Sequence, residues 1–255
     1  MTMAMIFDLD GTLYVGKTPV PGAAETLETL RSKGVKVLFL TNAATKSRAD
    51  IAIKLTKMGI RAKKEDVYGG AYVLAKYIAQ NHKDKRVYVV GEKGIFDEFR
   101  EVGIQTADDA EIVAVGLDRM VTYEKLCKAH IALTKGAIFL ASNKDHTYPT
   151  EKGHLPGSGA IVSAIEFASE KKPYVVGKPN TYVLELIKKE HKLKNEEIMM
   201  VGDRLDTDIT FAKNCGIKST LVLTGTAKKS DIRSIAPDYV FESVRDLTTL
   251  ENQFR

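Results

Sequence analysis

Asp8 and Asp10 stand one residue apart directly behind the apolar run Met3-Ala4-Met5-Ile6-Phe7, and Gly11-Thr12-Leu13 follows them. The run is short and carries β-branched and aromatic members, which predicts a buried strand. If that strand persists, both carboxylates point the same way. Like charges that close repel, and a divalent cation is the commonest means of holding both ionised. By itself the pattern leaves open an acidic strand-ending turn, since Asp and Gly are ordinary turn formers. Three later runs decide between the readings. Val37-Leu38-Phe39-Leu40 ends in Thr41-Asn42, Tyr174-Val175-Val176 ends in Gly177-Lys178-Pro179-Asn180, and Ile198-Met199-Met200-Val201 ends in Gly202-Asp203, with Arg204-Leu205-Asp206-Thr207-Asp208 beyond. Each is a predicted strand whose last residues turn polar. Ligands of open parallel sheets bind beyond the carboxyl ends of the strands, so one crevice would collect all four sets. Two carboxylates, a hydroxyl, an amide, an ammonium and a second acidic cluster suit a phosphate and its metal ion.

The elements that must position these residues alternate strand and helix from end to end. Pro21-Gly22 opens an amphipathic run with Ala24, Leu27 and Leu30 on one face, closed by Gly34. Helices are expected over 46–58 and 69–80, and the polar stretch Asn81-His82-Lys83-Asp84-Lys85 marks a domain junction. Beyond it the pattern restarts with strands at 86–91, 112–117 and 137–141 and helices at 93–102, 123–133 and 159–170. A core is expected to resume at Tyr174, with strands near Ile198, Thr220 and Tyr239. Such alternation predicts an α/β fold with parallel sheets covered by helices.

Composition agrees. At 255 residues the chain has room for one large domain or two modest ones, and 44% hydrophobic residues are ample for a packed core. The net charge of +5 comes with scattered Lys pairs that lack aromatic interleaving, which argues for solvated surface and against nucleic-acid binding. Two cysteines, Cys127 and Cys215, each lie in a helical pattern and suit a reducing cytoplasm better than a disulfide. No cationic leader precedes the first strand, and no apolar stretch approaches the ~20 residues needed to span a bilayer. The expected location is therefore cytoplasmic, without a membrane partner; homodimerisation is left open.

D-x-D-G-T-L, a strand ending in T-N, G-K-P and G-D-x-x-x-T-D, in that order over essentially the whole chain, resemble the haloacid dehalogenase (HAD) superfamily of phosphohydrolases. The likeness is closest to its NagD-like, 4-nitrophenylphosphatase branch. It implies a HAD-like Rossmannoid core at 1–83 and 173–255 with an inserted α/β cap domain at 84–172. Ala141-Ser142-Asn143-Lys144-Asp145 and Pro156-Gly157-Ser158-Gly159 resemble the cap signatures of that branch. One departure is visible, because the branch commonly has T-N-N and this chain has Ala43 in the third place.

The resemblance implies a magnesium-dependent hydrolase of small phosphate monoesters that works through an aspartyl-phosphate. Asp8 would be the nucleophile and Asp10 the general acid–base. Magnesium would take the carboxylates of Asp8 and Asp203 and the main-chain carbonyl of Asp10, with Asp208 orienting metal waters; Asp206 competes for that last place. Gly11, Thr41, Asn42 and Ala43 would bind phosphate, and Lys178 would stabilise its transition state. In the cap, Asn143, Asp145 and Tyr148 are candidate substrate contacts, and Pro156-Gly157-Ser158-Gly159 is either an anion-binding helix start or a plain capping turn. Three alternatives remain: a dehalogenase acting on carbon, a phosphomutase, and a non-catalytic phospholigand-binding protein. Asp10 and the second acidic cluster argue against the first. The presence of both Asp8 and Lys178 argues against the last.

Overall fold

The computed structural model describes residues 3–150, 153–233 and 235–253, the side chains of 250–253 excepted. The chain divides into two compact units, one made of 1–41, 52–68 and 178–255, the other of 42–51 and 69–177.

The first unit is built on a six-stranded sheet in the order Tyr239–Phe241, Lys218–Val222, Ile198–Gly202, Ala4–Phe7, Lys36–Thr41, Val67–Gly69. Ala4–Phe7 runs parallel to both its neighbours, and the strands on the Ile198–Gly202 side continue parallel. Ala4, Met5, Ile6 and Phe7 are all fully buried, as expected of a central strand covered on both faces. Each such large side chain contributes ~1.5–3 kcal/mol relative to exposure. The chain leaves Ala4–Phe7 toward one neighbour and returns much later on its other side, so the strand order reverses there. A reversal of that kind opens a crevice at the carboxyl ends of the two central strands.

Register then places the polar residues. Phe7 pairs with Val201 on one side and with Phe39 on the other. One residue further on, Asp8 lies level with Gly202 and Leu40, and Asp203 and Thr41 stand just beyond. The Asp8 N–H donates to the Val201 carbonyl at 2.8 Å, which fixes its backbone even though the strand proper has ended. Helices Ala23–Ser32 and Tyr182–His191 bury Leu27 and Leu30, and Val183, Leu184, Leu186 and Ile187, respectively.

The second unit carries a four-stranded parallel sheet, ordered Tyr174–Val175, Ile138–Ala141, Ile112–Val115, Val87–Val90. Val90, Val113, Val115, Leu133, Phe139, Val162 and Ile165 form its core with helices Tyr123–Thr134 and Ser158–Ser169. Two features differ from expectation. Tyr174–Val175, read as the return of the core, pairs with Ile138–Ala141 in this second sheet. Hydropathy shows that a segment is a strand but not which sheet it joins. Tyr148, in the stretch between the expected strand at 137–141 and the expected helix at 159–170, lies on a further strand Thr147–Thr150, which pairs antiparallel with Gly153–Pro156 and sets Tyr148 opposite Leu155. Neither half of that hairpin alternates apolar and polar residues cleanly, so it gives little periodic signal. Among the described residues no helix is long and apolar enough to cross a membrane, and neither cysteine is in a disulfide.

Candidate active site

The expected carboxylates converge, with one exception. Asp8, Asp203 and Asp208 each offer a carboxylate oxygen, and the three oxygens lie within 4.8 Å of one another with every residue buried. Lys178 stands among them. Its Nζ donates to Asp8 Oδ1 at 2.6 Å, Asp208 Oδ1 at 2.7 Å and the Leu40 carbonyl at 3.2 Å, and the residue is 3% exposed. A surface lysine at a strand end is thereby excluded.

Asp208 is held on both oxygens, since the Arg204 N–H donates to its Oδ2 at 3.1 Å. The tight turn Leu205–Ile209 between Arg204 and Asp208 permits that bond. Asp206, the competing acid of the loop, instead pairs with Arg204 at 2.8 Å with its side chain 62% exposed. Asp203 Oδ2 accepts the Thr226 N–H at 2.6 Å, but Oδ1 is buried without a partner. A buried carboxylate oxygen left unpaired is costly.

Glycines make room for this crowding. Gly11 has φ +95°, and a Cβ there would run into the Asp203 carboxylate; one at Gly225 would meet the same carboxylate, and one at Gly202 would meet that of Asp208. The Thr224 hydroxyl donates to the Gly11 carbonyl at 2.7 Å and locks the two turns together. Sequence reasoning found Gly11 and Gly202 but missed the Thr224-Gly225-Thr226 turn. Its signal was available, as a fourth strand, Lys218–Val222, running into a polar glycine turn.

Electrostatics follow from three carboxylates sharing one ammonium. Burial pushes Asp8 well above the ordinary carboxylate range; Lys178 pulls it down, but Asp208 and Asp203 push it further up. Burial and Asp208 likewise push Asp203 up to about 6, against the Thr226 N–H and Lys178. Burial alone would lower Lys178, yet Asp208 and Asp8 outweigh it and hold the ammonium charged. The cluster is short of positive charge and has an orphaned hard oxygen donor. That donor set fits a divalent cation of the magnesium type.

Asp10 is the exception. The strand stops at Phe7 and the chain turns at Gly11, so the two aspartates do not share a face as a continued strand would require. Asp10 Oδ1 instead accepts the Gly16 N–H at 3.3 Å. Burial raises its pKa, offset in part by Gly16 and Lys54. Thr12, directly after Gly11, is fully buried with its hydroxyl unpartnered.

Of the remaining expected residues, Thr41 belongs to the first unit, and Asn42, Ala43, Asn143, Asp145 and Tyr148 belong to the second. Thr41 ends the strand Lys36–Thr41 and is 9% exposed, and Asn42 follows it at 7%. Asn42 Nδ2 donates to Asp145 Oδ1 at 3.1 Å and to Oδ2 at 3.3 Å. Asn143 Nδ2 donates to the Asn42 carbonyl at 2.7 Å, and the Ala43 carbonyl accepts the Gly70 N–H at 3.0 Å. Pro156-Gly157-Ser158-Gly159 opens helix Ser158–Ser169, and two of its N–H groups are taken: Gly157 donates to His146 O at 2.8 Å and Gly159 to Asp145 O at 3.0 Å. Tyr148 contacts Arg119, whose guanidinium is gripped by Glu92 at 2.7 and 2.6 Å.

The chain is similar to known proteins over nearly its whole length. Residues 5–105 match the haloacid dehalogenase-like hydrolase family and residues 175–247 a HAD-hydrolase-like family. The acid sugar phosphatase of Staphylococcus haemolyticus is 36% identical over 243 residues, covering 94% of this chain and 92% of that protein. The 4-nitrophenylphosphatase of Thermotoga maritima superposes with a TM-score of 0.93 at 33% identity, covering 97% of each chain. The glycerol phosphate phosphatase of Mycobacterium tuberculosis, solved in complex with magnesium, gives 0.90 at 33% identity over 96% of this chain and 76% of that one. With sequence likeness at this level over nearly its full length, the chain belongs to the haloacid dehalogenase-like hydrolases, in their NagD/4-nitrophenylphosphatase branch.

Proposed function

We propose that this protein is a magnesium-dependent phosphatase that hydrolyses small phosphate monoesters through an aspartyl-phosphate on Asp8. The observation that carries the proposal is the buried cluster of Asp8, Asp203 and Asp208 around Lys178. Asp8 and Asp203, with the Asp10 carbonyl, would hold magnesium, whose charge would neutralise the carboxylates and polarise the phosphate. One Asp8 oxygen is pinned by Lys178, which leaves the other to attack phosphorus in line. A bond from that oxygen to phosphorus forms as the ester P–O bond breaks. Asp10 gives its proton to the departing alkoxide, and its raised pKa suits that task. It then takes a proton from the water that splits the phospho-aspartate, releasing inorganic phosphate and restoring Asp8. Thr41, Asn42, Ala43 and Gly11 bind phosphate oxygens, while Asp208 fixes Lys178 and orients metal waters.

The core groups recognise phosphate and leave the organic half unread. Specificity therefore falls to the insert at 84–172, completed by Tyr174–Val175, and Tyr148 is its candidate contact. The enzyme is proposed to be cytoplasmic and to need neither nucleic acid nor membrane. The deciding measurement is release of 4-nitrophenol from its phosphate with and without magnesium, in the wild type and in Asp8→Asn. Turnover should require the metal and vanish in the variant. Substantial activity in Asp8→Asn, or in excess chelator, would sink the covalent mechanism, and halide release from haloacids would favour the dehalogenase instead.

A further inference from the structure

Asn42 is buried in the second unit, and what encloses it comes from three distant stretches of chain. Asp145 takes its side-chain amide and Asn143 its carbonyl. Asn143 is 4% exposed and is itself fixed: its Oδ1 accepts the Asp145 N–H at 3.0 Å and also the Ser158 hydroxyl, and Ser158 is 2% exposed. A Cβ at Gly177 would lie 2.7 Å from Asn42 Oδ1, and one at Gly70 would strike the Asn42 carbonyl. Downstream, the Gly94 N–H donates to Thr45 O at 3.2 Å and the Arg48 N–H to Glu98 Oε1 at 2.6 Å. The segment after Thr41 is thus clamped at both ends.

We propose that Asn143, Asp145 and Ser158 are positioning residues that set the phosphate-binding segment Asn42–Ala43, and not contacts to the organic half of the substrate. The inference rests on the phosphatase reading above and deepens it. With its amide bonded to a carboxylate, the Asn42 side chain is a tether; an anion facing it would also meet the negative charge of Asp145. Asn143 has both ends of its amide engaged inside the protein: Nδ2 donates to the Asn42 carbonyl and to Ser142 Oγ, and Oδ1 accepts the Asp145 N–H. The glycines at 70 and 177 serve the same end, because only a residue without Cβ lets Asn42 sit this close.

The test compares the full-length wild type with Asp145→Ala and Asp145→Asn, in magnesium, on 4-nitrophenyl phosphate and glycerol phosphate, with inorganic phosphate as inhibitor. Asp145→Ala should lower kcat/KM by ~10- to 100-fold, the scale of a misplacement of about 1 Å, and by the same factor for both esters. Inhibition by inorganic phosphate, which has no organic half, should weaken alongside. Asp145→Asn keeps the shape and one acceptor oxygen, so it should show a smaller loss with the same uniformity. Asn42→Ala combined with Asp145→Ala should be no worse than Asn42→Ala alone, because the two act through the same amide–carboxylate pair. Partial unfolding would reduce the amount of active enzyme and leave the phosphate inhibition constant in place. A loss confined to one ester, an unchanged inhibition constant in both variants, or additive effects would overturn the proposal. Wild-type turnover that Asp8→Asn abolishes secures the underlying reading separately, so failure of one is not mistaken for failure of the other.

Discussion

Removing the one ammonium from the carboxylate cluster should cost stability and turnover together, with a pH signature that tells why. In Lys178→Met the side chain keeps its length and loses its charge, so Asp8 and Asp208 lose contacts of 2.6 and 2.7 Å at a site 3% exposed. Breaking a buried pair by deleting one partner costs ~3–5 kcal/mol, against a net stability of ~5–15 kcal/mol for a typical protein. For a chain of this size that is a fall in Tm on the order of 6–20 °C. The carboxylates are already pushed above their usual range, Asp203 to about 6, and loss of the cation pushes them higher. An acid whose pKa is raised by folding destabilises the native state as pH climbs through that value and ceases to do so once protonated. The deficit of Lys178→Met should therefore be largest near pH 8 and shrink toward pH 5. Turnover of an aryl phosphate should fall ~10²–10³-fold or more, the scale of losing one preorganised electrostatic contact. Adding Asp208→Asn removes one uncompensated charge and should recover part of the stability and none of the turnover. The assay is thermal unfolding followed by circular dichroism from pH 5 to 8, beside steady-state kinetics in saturating magnesium. Near wild-type stability at pH 8, or a deficit that does not change with pH, would refute the charge argument.

Three further outcomes are expected. Asp10→Asn should slow an alkyl phosphate by ~10²–10⁴-fold and an aryl phosphate by less, since a nitrophenolate scarcely needs a proton; equal losses would remove Asp10 from the acid role, unless hydrolysis of the phospho-enzyme limits both. Gly11→Ala places a Cβ against the Asp203 carboxylate at φ +95°, so magnesium should bind it ~10–100-fold more weakly by titration calorimetry, and an unchanged affinity would mean that Asp203 holds no metal. His191 is hydrogen-bonded to Lys36 at 3.1 Å and Tyr68 at 3.0 Å, and burial, then Lys36, lower its pKa below 6.5. A histidine kept neutral by folding contributes stability above its ordinary pKa and loses it as pH falls through the folded value. Urea midpoints should thus drop more between pH 7 and 5 in the wild type than in His191→Gln, and parallel drops would reject the assignment.

The fold was legible because each main strand is a short apolar run and most helices are amphipathic. Runs such as Ile112–Val115 and Ile198–Gly202 are buried on both faces, and that continuous hydropathy survives in sequence. Partnership does not survive. Tyr174–Val175 is two residues long and leads into Gly177-Lys178, so proximity along the chain assigned it to the wrong sheet. The hairpin of Thr147–Thr150 and Gly153–Pro156 was missed for a different reason. Its strands are half-buried or exposed and contain proline, which removes the apolar alternation that marks a strand.

At the site, residue types that only chemistry requires were the readable ones. Three acids and a lysine at the ends of apolar strands have no use in a core, and register alone then brings Asp8 and Asp203 side by side. What the sequence could not show was direction. Asp10 shares the spacing of Asp8, yet one left-handed glycine sends its carboxylate to Gly16. Asn143 and Asp145 have the composition of ligands but spend their hydrogen bonds on Asn42. The distinction is one of saturation. Asp203 keeps a buried oxygen without a partner, whereas the side-chain amide of Asn143 is bonded at both ends. Buried polar groups that are satisfied specify structure, and those left wanting a partner mark where a ligand belongs. On that criterion the carboxylate cluster is the place for chemistry, and the asparagine network is the frame that fixes the segment Asn42–Ala43 within its own unit.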